Sequence, residues 1–236
     1  GGGSDGEVVG SVAVGVNAQA TGEYSSAYGN GAIAEGKGSS AYGSSVAASG
    51  EFSSAYGKYA AATGESSSAY GDNAEATGDY SSAYGAYASA AGESSMAYGY
   101  YAQATGGSSF AAGALTLASG DASIAIGSGL GESGIVTEAT GYRSVAVGNA
   151  AQATGNDSSS YGTYSKATGE SSSAYGGGAE ATGSSSSAYG SGSVASGDQS
   201  SAYGNGALAS ANNSIAIGSG YDVEFSKQTS ATAERA

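Results

Sequence analysis

Gly64-Glu65-Ser66-Ser67-Ser68-Ala69-Tyr70-Gly71-Asp72-Asn73-Ala74-Glu75-Ala76-Thr77, with Gly78 opening the next copy, is one unit of a pattern that fills most of the chain. A glycine stands at every seventh place from Gly15 to Gly218, and Ala211 is the single miss. The unit is fourteen residues because the two glycines of each copy differ. One closes a short stretch of the form S-x-A-Y-G (Ser67 to Gly71), the other a stretch of the form A-x-A-T-G (Ala74 to Gly78). Alternation of period two marks a strand, and a glycine at each end suits a tight bend with positive φ. A fixed short period means that one small unit is stacked many times. The pattern predicts an all-β parallel solenoid of 14-residue coils, each coil carrying two short strands and two turns.

Working outward from that copy, the columns are uniform. Serine stands four places before each glycine of the Gly71 type, from Ser11, Ser25 and Ser39 to Ser214. Alanine stands two places before it, with Ser160 the exception, and two places before each glycine of the Gly64 type without exception. Such small columns predict the inside of a very thin coil, where only methyl and hydroxyl groups fit and the serine hydroxyl can bond the turn backbone.

The opposite parity of the S-x-A-Y-G strand carries larger residues. Tyrosine precedes the glycine at Tyr28, Tyr42, Tyr56, Tyr70, Tyr84, Tyr98, Tyr161, Tyr175, Tyr189 and Tyr203, mostly with serine two places earlier. Where tyrosine is missing, the partner grows: Val12 with Val14, Ile124 with Ile126, Val145 with Val147, Ile215 with Ile217, and Phe110 with Ala112. Large-with-small against medium-with-medium is volume compensation, which a solvated face does not need. The reading is that Val14, the ten tyrosines, Phe110, Ile126, Val147 and Ile217 line an interface between copies of the chain. An exposed stripe that stacks a ligand is the alternative, though isoleucine and valine at the same place do not fit it.

Composition agrees with a solenoid rather than a globular core. The 236 residues include 44 glycines and no proline, cysteine, tryptophan or histidine. Large aliphatic residues are scarce, so a conventional core cannot be filled. The net charge of −14 speaks against nucleic acid, which needs a positive surface. No stretch reads as a membrane span, so no membrane contact is expected of this segment. The opening GGGSDGEVVG reads as the start of an excised segment of something longer. Without histidine or cysteine the common catalytic base and nucleophile pairs are absent, so no enzyme activity, cofactor or metal is expected.

The alternating strands, with Ser-Ile-Ala-Ile-Gly at 123–127 and 214–218, resemble the YadA-like head repeats of trimeric autotransporter adhesins. The resemblance covers residues 11–220. It implies a left-handed parallel β-roll that assembles as a homotrimer, with the variable apolar positions at the trimer centre. It also implies a head presented at the cell surface, from the outer membrane of a Gram-negative bacterium, by parts outside this chain. Tyrosine dominates where such heads often carry Ile or Val, and residues 221–236 lack the basic, aliphatic neck that normally follows a head.

The domain reading is a lead-in over 1–10, head repeats over 11–220, and a cap, stalk start or tail over 221–236. One irregularity interrupts the repeats. Glycines of the Gly71 type are fourteen apart up to Gly127 and again from Gly148, but twenty-one apart between them. Half a coil cannot continue a two-strand roll, so a loop or bulge is expected near 128–140. Loops on rigid scaffolds often carry binding, which makes Leu130 and Glu132 candidates. A second candidate surface is the column of Tyr59, Tyr87, Tyr101 and Tyr164 with Tyr100 beside it, since tyrosine gives contact area at low entropic cost.

Two further columns carry less. Glu23, Glu51, Glu65, Asp79, Glu93, Asp121, Glu170 and Asp198 follow glycines of the Gly64 type. One carboxylate per coil falls short of a calcium cage of roughly six to eight oxygens, so a solvated edge that discourages sideways aggregation is expected. The threonines Thr21, Thr63, Thr77, Thr105, Thr140, Thr154, Thr168 and Thr182 form a single, interrupted column, a poor match to a flat ice-binding face. The functional expectation is a non-catalytic, rigid trimeric rod that attaches to an extracellular matrix protein, a cell-surface molecule, a glycan or an abiotic surface through many weak contacts. A purely structural spacer, and an ice- or mineral-binding solenoid, are the alternatives.

Overall fold

The structure is a computed structural model that describes residues 10–129 and 134–219, and the backbone of 230–231. The chain divides into two compact units, residues 1–105 and 106–236. In the first, the strands that begin just after each residue of the serine column are Val12–Val14, Ser26–Tyr28, Ser40–Ser44, Ser54–Lys58, Ser68–Tyr70, Ser82–Tyr84 and Met96–Tyr98. Within the unit neighbouring strands pair in parallel at a fourteen-residue offset, so Tyr28 faces Tyr42, Tyr42 faces Tyr56 and Tyr84 faces Tyr98. The two-residue strands between them, such as Glu75–Ala76, form a second parallel sheet in the same register.

The second unit repeats the plan from Phe110–Ala112 and Thr116–Ala118 to Ile215–Ile217, and the backbone of Ser230–Ala231 adds a parallel strand beside Leu208–Ala209. Each unit is thus a parallel β-solenoid of 14-residue coils, and no helix occurs among the described residues.

The core is the inward parity of both strands. Ala27, Ala34, Ser25 and their equivalents coil after coil are fully buried, and the largest fully buried side chains are Val46, Thr116 and Thr137. Backbone hydrogen bonding replaces bulk. Ser26 N–H donates to Ser39 O at 2.9 Å and Gly29 N–H donates to Val14 O at 2.8 Å, tying each coil to both of its neighbours.

Both glycine columns are fixed by this stacking, but for different reasons. At Gly71 the backbone sits at φ +147° and a Cβ would stand 2.4 Å from Gly85 O. At Gly64 φ is not positive, yet a Cβ would stand 2.1 Å from Gly78 O. The positive φ expected of every glycine therefore holds for one column, and close approach of the next coil alone dictates the other. The left-handed conformation in the turns falls instead two places after each glycine, often on a non-glycine residue such as Ser66 (φ 53°) or Asn73 (φ 54°).

The serine hydroxyls also differ from expectation. Ser53 Oγ donates to Gly50 O at 2.7 Å, but the hydroxyls of Ser25, Ser39, Ser67 and most others in the column bond no protein group. The turn backbone is the same, since Ser25 N–H meets Gly22 O and Ser53 N–H meets Gly50 O at 3.2 Å in each case.

At the phase break both strands keep register. Ile124 pairs with Val145, and Thr137–Ala139 pairs with Thr116–Ala118. On either side of the break, Gly129 N–H donates to Ala114 O at 2.9 Å and Thr137 N–H donates to Leu115 O at 3.3 Å. The glycine stacked beneath Gly120 is Gly141, not Gly134.

Candidate functional site

Parity aims the tyrosines out of the coil, and the parallel register stacks them. In the first unit the rings of Tyr28, Tyr42, Tyr56, Tyr70, Tyr84 and Tyr98 form one ladder with centroids 4.7–5.0 Å apart and planes within 9° of parallel. In the second, Tyr161, Tyr175, Tyr189 and Tyr203 repeat it at 4.8–5.3 Å. The ring spacing is the strand spacing of the sheet beneath. A serine stands two places before each of these tyrosines except Tyr98, which follows Met96. Where the pair is Phe110 with Ala112, its register partners are Ile124 and Ile126.

The stripe is not fully covered within one chain. Tyr28 to Tyr84, Phe110, Val147, Tyr161 and Tyr175 are half-buried, while Val14, Tyr98, Ile126, Tyr189, Tyr203 and Ile217 are exposed. Burial raises the Tyr56, Tyr70, Tyr98 and Tyr175 hydroxyls above the usual phenol range, and the neighbouring tyrosines of the ladder add to the rise.

The second candidate surface is built differently. Tyr87 and Tyr101 are stacked at 4.7 Å, and Tyr100 sets its ring edge-on to Tyr101 at 4.5 Å. The pair walls a shallow depression of about 280 Å³, lined also by Asn73, Glu75, Ser89 and Gln103. Tyr59 is exposed and carries Lys58 Nζ 4.8 Å from its ring centroid, but Asn73 stands in the coil between it and Tyr87. Tyr164 is exposed, and its column neighbours are Ala150 and Gly178. Leu130 and Glu132 lie outside the described residues.

Two arrangements escaped the sequence reading. The first is in the column two places after glycines of the Gly64 type, where Tyr24, Phe52 and Tyr80 alternate with Gly38 and Ser66 in the first unit. They are 61%, 57% and 55% exposed. Tyr24 and Phe52 each turn one ring edge, Cδ1 with Cε1, towards the glycine of the preceding coil. A Cβ on Gly38 would stand 2.9 Å from Phe52 Cδ1, and one on Gly10 would stand 3.1 Å from Tyr24 Cδ1. Tyr80 reaches back to place its hydroxyl 3.3 Å from Glu65 Oε1, and the Glu65 charge raises the Tyr80 hydroxyl above the usual phenol range. The alternation of aromatic with small residues every second coil was the available signal.

The second concerns the acidic column. Asp79 Oδ1 accepts Glu65 N–H at 2.9 Å, Asp121 Oδ1 accepts Gly107 N–H at 2.9 Å, and Asp198 Oδ1 accepts Ser184 N–H at 3.0 Å. Asn156 and Asn212 do the same for Tyr142 and Asp198. The short side chains therefore staple one coil's turn to the next. The ion pairs Lys37–Glu23 and Lys166–Glu180 also join adjacent coils, at 3.3 and 3.4 Å.

Compared with known families, the chain matches the YadA head domain repeat (2 copies) over residues 9–32, 20–45, 62–88, 76–102, 90–116, 104–129, 139–165 and 195–220. No curated protein matches it.

Proposed function

The chain belongs to the YadA head domain family, and from that premise we propose that it is the head segment of a bacterial surface adhesin that works as a homotrimer. Heads of this family are homotrimeric structural domains of Gram-negative surface adhesins. The observation that carries the reading is the stripe of stacked tyrosines in both units, extended by valine in the first and by isoleucine and valine in the second, which one chain leaves half-buried or exposed. Covering the open side of one such ring is worth about 1–2 kcal/mol. A tyrosine ladder suits such a seam because each ring packs while its hydroxyl keeps a polar partner. The stripe residues named above are the subunit contacts in this proposal. Attachment then falls to surfaces away from the stripe, of which the Tyr59, Tyr87, Tyr100 and Tyr101 column is one, acting on an extracellular target and multiplied threefold.

The test is mass in solution. Light scattering at micromolar concentration is expected to give three chains per particle, and Tyr70→Asp with Tyr84→Asp to give single chains with the β-signal kept. A parent that runs as a monomer overturns the trimer. If cells that display the chain adhere no better than cells displaying the parent protein without it, the segment is a spacer.

A further inference from the structure

We propose that the depression lined by Glu75, Ser89 and Gln103 is a socket for an arginine side chain of a basic protein partner. The inference deepens the adhesin reading, on which it rests for its biological setting, by naming the chemistry that the Tyr87–Tyr101 surface receives. Three adjacent coils of the first unit build the site. Glu75, Ser89 and Gln103 stand side by side in one outward column of the second sheet. Together they line a depression of about 280 Å³, and Tyr87 and Tyr101, stacked at 4.7 Å, wall it. The column thus offers hydrogen-bond acceptors in a row: a carboxylate at Glu75, a hydroxyl at Ser89 and an amide carbonyl at Gln103.

Elsewhere the chain fills the same columns with its own cations. In the column of Glu75, Glu180 is met by Lys166 of the adjacent coil at 3.4 Å. The column neighbours of Glu75 are Ala61 and Ser89, and among the described residues its exposed carboxylate has no ion-pair partner. In the column of Tyr87 and Tyr101, Tyr59 carries the Lys58 ammonium 4.8 Å from its ring centroid. Ala86 and Tyr100 stand where Lys58 would, so neither Tyr87 nor Tyr101 is given a cation by the residue before it. Arg143 combines both contacts in one side chain. Its guanidinium lies 4.9 Å from the Tyr142 ring centroid and pairs with Asp157 of the next coil. Glu75 with Tyr87 and Tyr101 presents the same two partners, a carboxylate and tyrosine rings, to a cation from another chain.

Arginine fits this set better than lysine. A guanidinium spreads its N–H donors in a plane, so two can meet the Glu75 carboxylate while others reach the Ser89 hydroxyl or the Gln103 carbonyl. An ammonium is a point charge and spans less of the row. The apolar stem of either side chain packs along the tyrosine wall. The net charge of −14 draws a basic partner from a distance and repels an acidic one, but that field does not single out Glu75. An exposed ion pair and an exposed cation–ring contact are each weak. One socket therefore binds weakly, and retention comes from three of them on a trimer meeting a partner with repeated arginines.

The experiment measures binding of the full chain, by surface plasmon resonance, to surfaces that carry blocked Gly-Arg-Gly, Gly-Lys-Gly or Gly-citrulline-Gly peptides at equal density. Citrulline keeps the shape of arginine without its charge. Two variants attack the socket. Glu75→Gln removes the carboxylate, and Ser89→Lys sets an ammonium beside Glu75 as Lys166 stands beside Glu180. Glu51→Gln and Ala47→Lys are the controls, with the same changes of charge; Ala47 has Ile33 and Ala61 as column neighbours. Parent and controls are expected to bind the arginine surface, and both socket variants to lose at least fivefold in affinity. Unchanged binding by Glu75→Gln, an equal loss in the controls, equal binding to the lysine or citrulline surface, or no binding by the parent overturns the socket. Particle mass and the β-signal are measured in the same samples. A trimeric parent that ignores the arginine surface refutes only the socket, and a monomeric parent whose binding depends on Glu75 refutes only the trimer.

Discussion

Ser160 and Ser165 meet inside the second unit with their hydroxyl oxygens 2.7 Å apart, both fully buried. Each replaces an alanine of its column, and each is explained by the other. Ser165 Oγ in turn donates to Gly162 O at 2.8 Å, so Ser160 can donate to Ser165 and the chain of hydrogen bonds ends on backbone. Ser165→Ala leaves the Ser160 hydroxyl buried without that partner and is expected to cost about 1–3 kcal/mol. Ser160→Ala restores the consensus and should cost less. With both replaced, stability should return close to the parent value. A double-mutant cycle by urea unfolding checks the coupling, and additive effects would show the pair to be independent.

The two glycine columns separate two causes that sequence alone runs together. Gly64→Ala changes no unfavourable φ, yet its Cβ would stand 2.1 Å from Gly78 O, a backbone atom held by its own coil. Gly178 has φ +65° and nothing within 4 Å of a Cβ. The first substitution is expected to cost more than about 3 kcal/mol or to prevent folding, the second about 1 kcal/mol. Thermal unfolding of both variants, read side by side, decides whether stacking or φ is the stricter demand.

The two-strand coil, its small inner columns and the parallel stack were legible because each is written many times in the glycine ruler, so a single tolerant reading suffices. What stayed hidden turns on rotamers and on who sits fourteen residues away. That Asp79 accepts Glu65 N–H needs the coil pitch and the length of one side chain, and the acidic column read only as a solvated edge. That Phe52 turns a ring edge to Gly38 while Tyr101 stacks on Tyr87 cannot come from residue type, since both are aromatic and both take φ near 55°. At the phase break the spacing located the extra residues, but only the register of Thr137 with Thr116 shows that neither sheet is interrupted.

Glu138 sits on the outward face of its strand between Leu117 and Gln152 in adjacent coils, and burial raises its carboxyl above the usual range. The folded state then holds the proton more tightly than the unfolded state. Stability should fall as pH rises from the ordinary carboxylate value through the raised one, and stay reduced above it. Glu138→Gln removes that slope. Unfolding midpoints of parent and variant should converge at acid pH and separate, with the variant more stable, towards neutrality. Parallel curves would mean that the half-buried carboxylate is solvated as well as in the unfolded chain.

The tyrosine ladders give the opposite end of the pH scale a distinct response. Tyr70 is raised first by burial and then by Tyr56 and Tyr84, the rings stacked on either side of it at 4.7 and 4.8 Å. A phenolate in the ladder lies beside two phenols, so the first ionisation makes the next ones harder. The neutral form is the one the folded ladder holds, so its contribution is complete below the ordinary phenol value and is lost as pH climbs through the raised one. Absorbance titration should therefore show Tyr56, Tyr70, Tyr98 and Tyr175 ionising above the ordinary phenol range. If the ladder is the seam between chains, its ionisation should coincide with loss of particle mass by light scattering, since like charges at this spacing repel across the seam as well as along it. Tyr70→Phe should shift that dissociation upward, by removing one ionisable group without opening the stack. Complete ionisation with no change of mass would place the ladder on a free surface.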